Sequence, residues 1–212
     1  MSETTRSAKP RLGGQPTRRA IIALAAGAPV LGAGETRAQT AAGKVSNVRG
    51  MAFAEVGPGT RTLIQAEAVY LDELLRTGDD SRLGVALSNG NQIDLGARSK
   101  LRIDRTLLDG GGSLTLGGGA MMLDRPDAGR KGRLNVTSPF AVIAVRGTKF
   151  FAGEIDGFGV FVERGAVQVS AAGRSVIVRA GEGTTIPRVG APPEDVRVWG
   201  APKIARARAM IA

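Results

Sequence analysis

The chain has 212 residues with 29 Lys plus Arg against 19 Asp plus Glu, 31 Gly, six Phe, one Tyr and one Trp, and contains neither His nor Cys. Without imidazole or thiol, the usual general base, Ser/Cys–His nucleophile pairs, disulfides, iron–sulfur clusters and His or Cys metal sites are excluded. Carboxylate, Lys, Ser or Tyr chemistry remains, or none, on a chain whose 42% apolar and 23% charged residues are globular in balance and whose glycines imply many tight turns.

Residues 1–19 are polar and basic, 20–34 form the apolar run AIIALAAGAPVLGAG, and Thr36 and Ala38 put small residues at the two positions a signal peptidase reads. The run is broken by Gly27, Pro29 and Gly32 and is too short to cross roughly 30 Å of hydrocarbon, so no stable membrane insertion is expected. Residues 1–38 are therefore predicted to be a cleaved export signal delivering the chain to the periplasm. Thr17-Arg18-Arg19-Ala20-Ile21-Ile22 resembles a twin-arginine signal, with Ala23 where Lys is usual. These 38 residues hold six basic and two acidic side chains, so the remaining 174 carry 23 basic and 17 acidic groups. That modest excess includes no dense Lys/Arg block with interleaved aromatics, and no nucleic-acid partner is expected.

From Gly43 onward apolar residues alternate at period two between glycine corners. Leu83, Val85 and Leu87 precede an Asn89-Gly90 hairpin turn, and Ile93 and Leu95 follow it. Leu101 and Ile103, Leu114 and Leu116, a Gly117-Gly118-Gly119 turn, Met121 to Leu123, a basic turn at 129–132, and Leu134 and Val136 continue the pattern. Residues 141–145 are apolar without alternation, as expected of a strand buried on both faces. Phe158, Val160 and Val162, an Arg164-Gly165 turn, Val167 and Val169, Gly173, then Val176 and Val178 complete it. The prediction is an all-β single domain over 43–187, with many short strands and glycine turns in a β-solenoid or roll-like form. Residues 65–76 place Ala66, Val69 and Leu74 at helical spacing, but their Val-Tyr-Leu centre favours a short strand. Beyond Pro187, Pro192-Pro193 marks a linker, and the basic, Ala-rich last ten residues are expected to fray rather than form a short helix.

The segment Ser138-Pro139-Phe140-Ala141-Val142-Ile143-Ala144-Val145-Arg146-Gly147-Thr148-Lys149-Phe150 resembles the FecR-domain family, as do Gly165-Ala166-Val167-Gln168-Val169 and Ala180-Gly181-Glu182 after it. Upstream, Val48-Arg49-Gly50, residues 77–82 and Asn89-Gly90 fit the same pattern, so the likeness runs over about residues 43–187. It departs at Ser138, where Thr is usual, at Asn89-Gly90-Asn91 in place of Asp-Gly-Ser, and at Glu73, where an Asp is common. The resemblance implies a periplasmic β domain of the kind used in ferric-citrate-type transmembrane signalling. Signalling members add a cytoplasmic sigma-factor-binding domain, one membrane span and a C-terminal receptor-binding domain. This chain has the predicted export signal in place of the first two, and 25 residues after Pro187.

Arg146, Gly147 and Thr148 are the candidate binding residues. Gly147 would let the backbone bend, Arg146 would hydrogen-bond carbonyls across strands or present its planar fork to a partner, and Thr148 would resume the strand. No catalytic residue is assigned. Asp72-Glu73, Asp79-Asp80 and Glu194-Asp195 are sequence neighbours that a strand would point to opposite faces, whereas a glycosidase needs two carboxylates facing each other across about 5–10 Å. The triple-glycine runs lack phosphate-loop and calcium-loop residues, so no cofactor and no metal are expected. The function expected is a non-enzymatic periplasmic module that binds an envelope protein or a surface polysaccharide, in signalling or regulation. The alternative is a carboxylate-dependent enzyme acting on envelope glycan.

Overall fold

Period-two alternation gives each short segment one face to bury, and glycine turns let consecutive segments pair. A computed structural model describes residues 40–104, 112–126 and 132–212. The predicted export signal lies outside the described residues, as do Gly110, Gly111 and positions 129–131 of the basic turn. The chain forms β1 (Ala41–Arg49), β2 (Ala52–Val56), β3 (Gly59–Thr62), β4 (Ala68–Tyr70), β5 (Leu74–Thr77), β6 (Arg82–Leu87), β7 (Gln92–Leu95) and β8 (Lys100–Ile103). There follow β9 (Gly112–Gly118), β10 (Ala120–Asp124), β11 (Leu134–Thr137), β12 (Val142–Glu154), β13 (Phe158–Ala171), β14 (Arg174–Arg179), β15 (Glu182–Ile186), β16 (Arg197–Val198) and α1 (Ala201–Ala209). The expected all-β class holds, and the ladder of strand pairs gives its roll-like form.

Two strands organise the rest. β12 and β13 are 13 and 14 residues long, over twice the usual strand of about 5–6, and pair with each other along nearly their whole length. The first part of β12 lies beside β11 and its last part beside β10; likewise β14 flanks one end of β13 and β15 the other. One half of the sheet therefore runs β3-β2-β5-β8-β9-β11-β12-β13-β14, and the other β4-β1-β6-β7-β10-β12-β13-β15-β16. Among the described strands only β9 and β11 pair in parallel. Leu75, Leu101, Val136 and Ile143 from the first half share one continuous core with Val85, Ile93, Leu123 and Phe150 from the second, so the sheet curls until its inner faces meet. Each such aliphatic or aromatic side chain contributes about 1.5–3 kcal/mol.

Two expectations are changed by this packing and one is met. Residues 141–145 are not buried on both sides: Ala141, Ile143 and Val145 are buried, but Val142 is 42% exposed because no described element covers the outer face of the first half. Residues 65–76 are strand and turn, as favoured; Ala66 and Asp72 take left-handed φ values of 69° and 66°, incompatible with a continuing helix. The C-terminal segment neither links nor frays. β16 pairs with β15, and α1 packs against the outer face of the second half, where Met122, Phe151 and Phe161 form a second apolar cluster with Trp199, Ile204, Ala207 and Ile211. An apolar outer face has to be covered, and this segment covers it.

The cover is held by specific contacts. Trp199 stacks on Phe161 with ring centroids 5.3 Å apart, over Gly183, where a Cβ would come within 2.2 Å of the indole nitrogen. Lys203 sits over the indole ring at 4.4 Å. Arg208 Nε donates to Glu163 at 2.8 Å, Arg206 pairs with Asp156, and Arg82 donates to the carbonyls of Ala209 and Ala212.

At the other end of the roll, Glu73 is 1% exposed. It accepts the guanidinium of Arg61 at 2.9 Å through both oxygens and the main-chain N–H of Tyr70 at 2.9 Å. Arg61 also pairs with Glu67 and donates to the Ala68 carbonyl, tying β3 to the β4–β5 segment. Because Arg61→Ala strands a buried carboxylate, it is expected to cost about 3–5 kcal/mol in urea unfolding, whereas the exposed pair broken by Arg98→Ala should cost less than about 1 kcal/mol.

Candidate functional site

The predicted binding triplet lies where β12 passes from one half of the sheet to the other. The β12–β13 register, regular up to Arg146 opposite Ala166, shifts between Arg146 and Lys149 and again before Phe150, which marks a bulge. A bulge raises local twist and lets one strand serve two differently oriented neighbours. Gly147 takes φ +60° there, and Gly165, on the facing strand, takes +82°. A Cβ on Gly165 would lie 2.6 Å from the Gly147 carbonyl oxygen, so this approach of two backbones excludes any other residue at that position.

Thr148 closes the corner. It is wholly buried, and its hydroxyl lies within donating distance of the carbonyls of Arg146 at 3.0 Å and Ala166 at 2.9 Å, beside the bulge. The Thr148 carbonyl accepts the main-chain N–H of Arg125 at 2.9 Å, and the Arg125 side chain, 3% exposed, reaches the carbonyl of Gly132 at 3.0 Å. Gly147 and Thr148 are thus fold residues.

Arg146 differs. Its guanidinium is exposed and, among the described residues, makes no hydrogen bond and no ion pair. The expected bonds from Arg146 to carbonyls across the strands are absent, because its side chain points away from the core into solvent. Nearby cations are engaged: Arg164 pairs with Asp124 at 2.6 Å, and Lys149 with Glu163 at 3.2 Å.

A second concave region, absent from the sequence reading, lies beside α1. A cavity of about 430 Å³ is lined by Asp94, Met122, Lys149, Glu163, Arg208 and Ile211. Burial raises the Asp94 carboxyl above its ordinary value, which Lys149 opposes and Asp124 reinforces. Burial also works against charge on Glu163, but hydrogen bonds from Arg208 and Lys149 outweigh it and hold that carboxyl below its usual range. The other acidic pairs stay apart. Glu73 is committed to Arg61, Asp79 to Arg98 and Asp195 to Arg174. No cluster of three metal-ligating side chains occurs among the described residues.

Comparison with known proteins agrees with this architecture. Residues 73–168 match the family model described as FecR protein, a stretch running from just before β5 through the corner into β13. Two crystal structures of a candidate anti-sigma factor from Parabacteroides distasonis, at 1.65 Å and 2.50 Å resolution, share the fold with TM-scores of 0.54 and 0.53. Identity is 17% in both cases, and each match covers 62% of this chain and 62% of the other. No curated protein matches the chain.

Two measurements check this division of roles. Thr148→Val keeps the shape and removes a buried hydroxyl donor, so it is expected to cost about 1–3 kcal/mol, while Arg146→Ala should stay within about 0.5 kcal/mol in denaturant unfolding. Asp94 binds its proton more tightly when folded, so the wild-type chain loses stability as pH rises from the ordinary value of 3.8 through the raised folded value. Asp94→Asn should therefore melt higher than wild type at neutral pH and show no advantage well below that ordinary value; an advantage independent of pH would contradict the assignment.

Proposed function

We propose that this chain is an exported, non-enzymatic FecR-type β module of the periplasm that binds another envelope protein or a surface polymer, in signalling or regulation. The observation that carries the reading is Arg146: an exposed guanidinium with no partner among the described residues, standing on a corner whose backbone is locked by the buried Thr148 hydroxyl. A rigid backbone under an uncommitted planar donor suits recognition of an anionic or hydrogen-bonding partner, because little ordering is needed on binding. The FecR match over residues 73–168 supports the regulatory part, and the charged, apolar, small-residue order of residues 1–38 supports export.

A second reading, a carboxylate-dependent enzyme on envelope glycan, draws on Asp94 and Glu163. They line one cavity with their carboxyls pushed in opposite directions, as in acid–base pairs. Against it, Glu163 is clamped by both Lys149 and Arg208, an arrangement that fastens α1 to the sheet.

In-cell crosslinking separates the readings. The full chain carrying a photo-reactive residue at exposed Gln168 is expected to capture a discrete envelope partner, with capture lost in a still-folded Arg146→Ala variant. Equal capture by the variant, or none, would remove Arg146 from the reading. Hydrolysis of peptidoglycan or exopolysaccharide by pure protein, abolished by Asp94→Asn, would replace the binding module with the enzyme.

A further inference from the structure

The two outer faces of the roll are chemically opposite. That of the second half is apolar and lies under α1; that of the first half, from β11 to β14, has no described element over it. Register places Arg146 opposite Ala166 and Ala166 opposite Arg179, so the two arginines stand in one cross-strand row two strands apart, about 10 Å at strand spacing. Arg133, exposed and immediately before β11, extends that row, since Leu134 pairs with Val145. None of the three guanidiniums has a hydrogen bond or ion pair among the described residues.

The rows below are uncharged and mix polar with aliphatic side chains, with exposed Ile177 opposite Gln168 in one and exposed Val142 opposite Ser170 in the next. Asn135 pairs with Ala144, Ala144 with Gln168, and Ser170 faces Ser175 with hydroxyls 2.8 Å apart. The outward positions of β11, β14 and the adjoining parts of β12 and β13 hold neither a carboxylate nor an aromatic ring. The nearest acids are peripheral: Glu182 accepts the main-chain N–H of Arg179, and Asp104 lies by Ser113 beyond β11.

From these observations we infer that the outer face of β11–β14 is a binding site for a linear acidic polysaccharide. The arginine row takes ring carboxylates as bidentate ligands, and the amide and hydroxyl rows take sugar hydroxyls. The row spacing matches a disaccharide. A neutral glycan would lack the charge to use the row. A single-stranded nucleic acid would need stacking rings, which the face lacks, and the regular cross-strand spacing of the arginines favours a repeating polymer over a protein partner. The inference rests on the binding-module reading and specifies its polymer.

The full chain is titrated by calorimetry with polygalacturonate, with its neutral methyl-esterified form and with duplex DNA. Two double variants of equal charge are run beside it, R146Q/R179Q on this face and R188Q/R197Q away from it, each checked for an unchanged melting temperature. Polygalacturonate should bind, the esterified polymer and DNA at least about tenfold more weakly, and R146Q/R179Q should lose about tenfold while R188Q/R197Q stays within about twofold. Equal loss in both variants, or equal binding of DNA, would show diffuse charge attraction and overturn the site. Absence of polygalacturonate binding overturns it too. If polygalacturonate does not bind but crosslinking from Gln168 captures a discrete envelope protein in an Arg146-dependent way, only this inference has failed; if neither occurs, the Arg146-based binding reading fails with it.

Discussion

The structure depends on one backbone problem, which is how two long paired strands cross from one half of a curled sheet to the other without leaving carbonyls unsatisfied inside. β12 and β13 have to turn together at residues 146–149 and 164–166, and a bulge there shifts the register of the ladder. Gly147 and Gly165 admit the close backbone approach, and the single proton of the buried Thr148 hydroxyl is shared between, or given to one of, the carbonyls of Arg146 and Ala166. With this corner in place, the same two strands can offer Ile143 and Phe150 to a single core although they belong to different halves.

The corner also determines what the two outer faces require. Beyond it, β12 and β13 turn Phe151 and Phe161 outward, and an apolar face of that size is stable only when covered. The chain supplies the cover itself, with Trp199 and Ile204 making the apolar contact and Arg206 and Arg208 fixing its edge to Asp156 and Glu163. Before the corner, the same strands turn out Arg146, Gln168 and Ser170, which are content in water, beside exposed Val142. One face is consumed by folding and the other remains for recognition.

The carboxylates follow the same division. Glu73, Asp124, Asp156, Glu163 and Asp195 all meet guanidinium or ammonium partners at joints between elements. The acids therefore concentrate where segments are fastened together and are missing from the outer face of β11–β14, and the unpaired arginines there stand out because of where the paired ones are. This distribution, more than net charge, gives the molecule a directional surface.

Much of the fold was legible in the residues: period-two runs such as Leu83-Val85-Leu87 and Asn-Gly or Gly corners dictate short antiparallel strands, and Arg146-Gly147-Thr148 reads as a corner because few residues but Gly reach φ +60°. The run 141–145 was misjudged because Val and Ala suit both a buried and an exposed strand face, and only the neighbours decide which. The C-terminal segment was misjudged because Pro192-Pro193 and four arginines read as solvated, while the helical spacing of Ile204, Ala207 and Ile211 signals a packed face only when an apolar sheet lies beneath it. Asp94 and Glu163, 69 positions apart, share a cavity that no spacing rule could bring together. Local sequence thus determined strands, turns and the strained corner, because these rest on backbone preferences within a few residues. Which outer face is covered, which arginines stay unpaired and which carboxylates meet were decided by the tertiary structure, because burial and ion pairing depend on segments that only the curled sheet brings into contact.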